Sequence, residues 1–82
     1  MYKPNDFNLT NAPEEMVQYV IDNVEDFEPR YKRALNIMDR KRCSLRNADF
    51  ELYDNILDAC VDWFNENGDG GAIGYDIEEI FG

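Results

Sequence analysis

The stretch from Asn47 to Gly71, NADFELYDNILDACVDWFNENGDGG, restricts this chain more than any other part of it. Phe50, Leu52, Tyr53, Ile56, Leu57, Ala59, Cys60, Val61, Trp63 and Phe64 recur at helical spacing. Projected at about 100° per residue, they cover roughly half the circumference of a helix. A stripe that wide can meet two neighbours at once, which places this helix at the centre of the packing. The remaining face carries carboxylates and no basic residue. Asn67 and Gly68 then supply a C-terminal stop.

Two further helices are expected upstream. Asn11 is a good N-cap, Pro13 falls in the first turn where a missing N–H costs nothing, and Glu14 stands at the third helical position as in a capping box. Met16, Val17, Val20, Ile21, Val24 and Phe27 follow at three- and four-residue intervals, so the spacing predicts a helix over 11–28. Glu15, Gln18, Asp22, Glu25 and Asp26 fall opposite. Pro29 ends this helix, because the residue before a proline avoids the helical region, and opens a second over 29–42. Tyr31, Ala34, Leu35 and Met38 are its apolar stripe, while Arg30, Arg33, Arg40 and Lys41 share another arc with Ile37. After a short connection, Ser44 or Asn47 caps the third helix, over 47–67.

Residues 1–10 read as an irregular arm whose Tyr2, Phe7 and Leu9 dock on the core. Residues 68–82 are a glycine-rich loop and tail. Asp76 and Glu79 suggest one turn of helix over Ile77–Phe81, and Ala72–Tyr75 reads alternatively as extended. Ile73, Ile77, Ile80 and Phe81 are expected to be buried in part. The expected fold class is therefore all-α. It is a single small domain of 82 residues, a compact three-helix bundle with an irregular N-terminal arm and a short C-terminal helical or extended tail.

Charge is distributed in blocks. Residues 1–29 carry seven acids and Lys3, giving −6; residues 30–46 carry seven bases against Asp39, giving +6; residues 47–82 carry ten acids and no base, giving −10. The net of −10 opposes direct binding to nucleic acid or anionic membrane, since the phosphate interaction is repulsive overall. It favours a basic protein surface, a cation or plain solubility. The basic segment PRYKRALNIMDRKRCSLR invites a helix-turn-helix reading, but the helix in the recognition position is the acidic one. Its expected role is internal, neutralising the acidic faces of the first and third helices.

Chemistry is harder to find than charge. The chain has no histidine, which removes the commonest general base and metal ligand. Cys43 and Cys60 form no CxxC, and zinc would need carboxylates to complete its ligand set. Carboxylate-only catalysis needs a cleft with two carboxyls across it, so the expectation is a non-enzyme. The opening MYKPNDFNLT lacks the apolar core of a signal peptide and no run reaches the length of a membrane span. A cytoplasmic protein with free thiols is expected.

Two constellations remain. Glu51, Asp54, Asp58 and Asp62 share one helix face, and the last three are successive i,i+4 neighbours. Like charges at that spacing destabilise a helix by roughly 0.2–0.5 kcal/mol per pair. The face is either a tolerated solvated surface or a binding surface for a basic partner, in which carboxylates about 6 Å apart along the axis loosely imitate a row of phosphates. The second reading makes the chain an interaction module, an inhibitor or adaptor that binds the basic groove of a nucleic-acid-binding protein. Small size, acidity and lack of chemistry resemble, in general style, phage or mobile-element accessory proteins, including anti-defence inhibitors. A structural or assembly component is the third class. The oligomeric state is left open.

The other constellation is the loop NENGDGGAIGYD, residues 65–76. It resembles the calcium loop of EF-hand proteins, and its N-x-N-G-D-G opening is similar to the dockerin variant. The resemblance covers these twelve residues alone. It implies oxygen ligands from Asn65, Asn67 and Asp69, the backbone carbonyl of Gly71, and Asp76 at the twelfth position, with Gly70 at the sharp turn. The loop departs from the pattern in having Asn first and Ala72 at the eighth position. A helix stop followed by a glycine turn accounts for the same glycines.

Overall fold

The computed structural model describes Phe7, residues 13–67, Ile80 and Phe81. Among these residues all regular structure is helical, in four helices: α1 (Glu14–Asn23), α2 (Phe27–Lys41), α3 (Leu45–Ala48) and α4 (Phe50–Glu66). The all-α class is as the periodicity predicts. The boundaries differ, and each difference has a local cause.

The helix expected over 11–28 is shorter at both ends. Pro13 is the N-cap, extended and without a side-chain cap bond. Its carbonyl accepts from the N–H groups of Met16 and Val17 at 3.1 and 3.3 Å. Glu14 is thus the first helical residue, not the third, and Asn11 lies outside the described residues. At the other end Val24 is extended and Asp26 adopts a left-handed conformation with φ 54°. The chain therefore turns before Pro29, which falls inside the first turn of α2, where its missing N–H is not needed. Val24 and Phe27 stay in the core but belong to the turn and to α2.

The helix expected over 47–67 begins at Phe50 as α4, and the one-turn α3 takes its first two positions together with Leu45 and Arg46 of the expected connection. Ser44 and Asp49 are both N-caps. Ser44 Oγ accepts from the Asn47 N–H at 3.3 Å and Asp49 Oδ1 accepts from the Leu52 N–H at 3.0 Å. Each cap claims the N–H three residues on, so a single continuous helix cannot satisfy both. Asp49 at φ −154° separates the one-turn α3 from α4. Asn47 is a donor to the cap and not the cap itself.

The core holds together as the apolar stripes require. Met16, Val17, Val20 and Ile21 of α1 meet Leu52, Ile56, Ala59, Cys60 and Phe64 of α4, with Leu45 of α3 and Ala34 of α2. α4 packs chiefly on α1 and α3, and α2 rests on α3. Its central place follows from the width of its apolar stripe. Phe50 is an exception: the stripe predicts it inside, yet it is 60 % exposed, because the break at Asp49 leaves it as the first residue of α4 beyond the packed helices. Phe7 does dock, and with Phe27, Tyr31 and Phe81 it forms an aromatic cluster with ring centroids 5.0–6.3 Å apart. Ile80 and Phe81 are helical and buried, and the Tyr31 hydroxyl donates to the Phe81 carbonyl. Tyr2, Leu9, Ile73 and Ile77, and the alternatives for 72–79, lie outside the described residues.

Candidate functional site

The packing of α1 on α4 leaves a cleft between them. Its volume is about 370 Å³, and Tyr19, Asn23, Val24, Glu25, Asn55, Asp58, Ala59 and Asp62 line it. Every element contributes by its own geometry. Tyr19 and Asn23 are four residues apart on α1 and so lie on one side; Asn23 Nδ2 donates to the Tyr19 carbonyl at 2.8 Å, which holds its amide at the end of the helix. Val24 and Glu25 come from the turn that Asp26 closes. Asn55, Asp58, Ala59 and Asp62 are the α4 side, at i, i+3, i+4 and i+7.

The cleft is lined mainly by polar side chains, three of them carboxylates, with Val24 and Ala59 as its two small aliphatic residues. Val24 and Ala59 are buried, whereas Glu25, Asp58 and Asp62 are exposed. The Tyr19 phenol is held above its ordinary range, first by desolvation and then by the negative charges of Glu66 and Asp62. It therefore stays a neutral hydroxyl well into alkaline solution. One cation already sits beside these walls. The half-buried Arg30 guanidinium donates to the Glu25 carbonyl at 3.3 Å. With the Asn55 amide turned so that its oxygen faces Arg30, that oxygen accepts from both Nη groups at 3.0 and 3.2 Å. Arg30 was expected to neutralise acidic faces; here its guanidinium is bonded to neutral oxygens.

The residues singled out by sequence divide accordingly. Glu51, Asp54, Asp58 and Asp62 are all exposed on α4, but only Asp58 and Asp62 edge the cleft. Asn65 and Asn67 are exposed at the end of α4. Asn67 is the C-cap: its N–H and its side-chain Nδ2 both donate to the Trp63 carbonyl, at 3.0 and 2.8 Å. The other loop positions, Asp69, Gly71 and Asp76, lie outside the described residues. Among the described residues no three Cys, Asp or Glu side chains are grouped so as to hold a metal ion, and no helix is long and apolar enough to cross a membrane. Cys43 and Cys60 are free thiols.

Tyr19, Asn23 and Asn55 were not singled out as α1 and α4 partners across a cleft. Periodicity along one helix carries no information about which neighbour covers which edge. The one available signal is negative: Tyr19 sits beside the buried Val20 without belonging to the Met16–Val17–Val20–Ile21 face. Comparison with known proteins finds no matching family model, no matching curated protein and no matching solved structure.

Proposed function

We propose that this chain is a non-enzymatic protein-interaction module that receives a basic group of another protein in the α1–α4 cleft, with the acidic face of α4 as the surrounding surface. In this reading it acts as an inhibitor or adaptor of a basic, nucleic-acid-binding protein, in the style of phage or mobile-element accessory proteins. α1, α2 and α4 are then the three helices of a bundle and α3 is the elbow between two of them.

The cleft itself is the observation that supports this most. Its volume of about 370 Å³ lies near the low end of the range of roughly 300–1,000 Å³ for small-ligand pockets, enough for the end of one long side chain. The carboxylates of Glu25, Asp58 and Asp62 suit the charge of lysine or arginine, and the Tyr19 ring offers a wall for its methylene stem. Arg30 already occupies two neutral oxygens beside the cleft, the Glu25 carbonyl and the Asn55 amide oxygen, so a partner's charge is left to the carboxylates. Glu51 and Asp54 extend the negative field beyond the cleft, which steers and accelerates encounter more than it tightens the complex.

The test uses an arginine-rich peptide and the full chain. Binding is expected to weaken steeply with salt, and to weaken at least tenfold in the variant Asp54→Asn, Asp58→Asn, Asp62→Asn while the helical circular dichroism spectrum is unchanged. Unchanged affinity in that variant removes the acidic face from the account.

A further inference from the structure

The chain also carries the chemical complement of its own cleft. The last turn of α2, the one-turn α3 and the start of α4 are consecutive, and α3 is only about 6 Å long at 1.5 Å per residue. Arg40, Lys41, Arg42, Arg46 and Phe50 are therefore gathered at one end of the fold, and all are exposed. Phe50 is the large hydrophobic residue left outside the core among the described residues, and the Arg46 guanidinium lies 5.9 Å from its ring centroid. Arg40 and Lys41 are accounted for in part by the negative end of the α2 dipole. That account does not reach Arg46 or Phe50. Nor does it explain Arg42, which holds a left-handed conformation at φ 51° where glycine is the easier residue.

We propose that a second copy of this chain docks this cationic, aromatic end into the acidic α1–α4 cleft, head to tail. The proposal rests on the reading of the cleft as a receptor for a basic group. Complementarity argues for the second copy. The cleft has room for the end of one long side chain, the Arg46 guanidinium, between its carboxylates, with the Phe50 ring covering the rim, and the same molecule carries both surfaces. The contact is intermolecular because Phe50 and Asp62 stand twelve positions apart on one helix, about 18 Å at 1.5 Å per residue. Two different surfaces make a heterologous contact, which leaves one free end of each kind and extends rather than closing into a pair. Self-association would occupy the cleft and so compete with any other basic partner.

Sedimentation velocity of the full chain over a wide concentration range, at about 0.15 M ionic strength where the Debye length is about 8 Å, tests this. The wild-type chain is expected to assemble reversibly beyond one copy. The variant Arg46→Glu, Phe50→Ser and the variant Asp58→Asn, Asp62→Asn are each expected to stay monomeric. An equimolar mixture of the two is expected to form a heterodimer and nothing larger, since each retains one working surface. The substituted residues are exposed, and thermal melts confirm folding; Arg42→Glu with Phe50 intact carries the same expectation should the first variant fail to fold. A monomeric wild-type chain at all concentrations, a mixture that stays monomeric, or assembly that survives in the Arg46→Glu, Phe50→Ser variant would each overturn the proposal. An arginine-rich peptide that binds a strictly monomeric wild-type chain overturns this inference and leaves the cleft reading standing. A peptide that fails to bind the monomer removes the cleft reading, on which this one depends.

Discussion

Among single side chains, Cys60 has the clearest solution consequence. It is wholly buried on α4, and burial pushes its thiol up to about 12 from an ordinary 9.0. The folded state therefore holds the proton more tightly than the unfolded chain does. The associated stability is fully present below pH 9 and is lost as pH rises towards 12, up to about 4 kcal/mol at 1.36 kcal/mol per pH unit. Cys60→Ala is expected to flatten the alkaline side of a stability-against-pH profile from urea unfolding. The raised phenol of Tyr19 leaves a residual slope of the same sign. Arg42 offers a test in the opposite direction. Replacing it by glycine at φ 51° relieves a left-handed conformation that costs a non-glycine residue roughly 1 kcal/mol, so Arg42→Gly should raise the melting temperature. In the assembly reading it also weakens self-association, which separates the stability of the residue from its use.

The helices themselves turn on their caps. Asp49→Ala is expected to cost about 0.5–2 kcal/mol and to exceed Ser44→Ala, because Asp49 starts the seventeen residues of α4 and Ser44 starts the four of α3. At the far end, Asn67 already spends its amide on the Trp63 carbonyl. That bond uses the amide nitrogen and does not engage Oδ1, but only Asp69 and Asp76 would bring charge to the loop, so millimolar calcium is expected to leave Trp63 emission and the melting temperature unchanged, and a shift in either would assign the loop to the ion. These ends also show what the sequence makes legible. Met16, Val17, Val20 and Ile21, or Leu52, Ile56, Cys60 and Phe64, are readable because a 3.6-residue period and a buried face have the same cause. The break at Asp49 was hidden because one continuous helix needs one cap, Ser44 or Asn47, and Asp49 within the same polar run carries no separate signal of a second start. The turn at Asp26 was hidden behind Pro29, whose fixed φ suits a helix's first turn as well as its end. Asp58 and Asp62 could be chosen from α4 alone; Tyr19 and Asn23 could not, because their role depends on how α1 lies against α4.

Over the whole molecule, the charge on α4 works against stability. Asp54, Asp58 and Asp62 repel one another along the helix, and the net charge of −10 adds self-repulsion over the fold. The variant with all three as asparagine relieves two i,i+4 repulsions, at roughly 0.2–0.5 kcal/mol each. It is expected to melt at a higher temperature while losing the basic peptide, and added salt should raise the wild-type melting temperature towards it. The bond from the Tyr31 hydroxyl to the Phe81 carbonyl has its own cost: Tyr31→Phe leaves that carbonyl buried without its donor, about 1–3 kcal/mol, and Phe81→Ala should cost about 3–5 kcal/mol. The same bond joins residues fifty positions apart, so the fold is closed by a residue far along the chain from the ring it meets. The aromatic cluster on α2 is missing a ring without Phe81, and a chain truncated just before that residue should remain open to proteolysis where one that includes it does not.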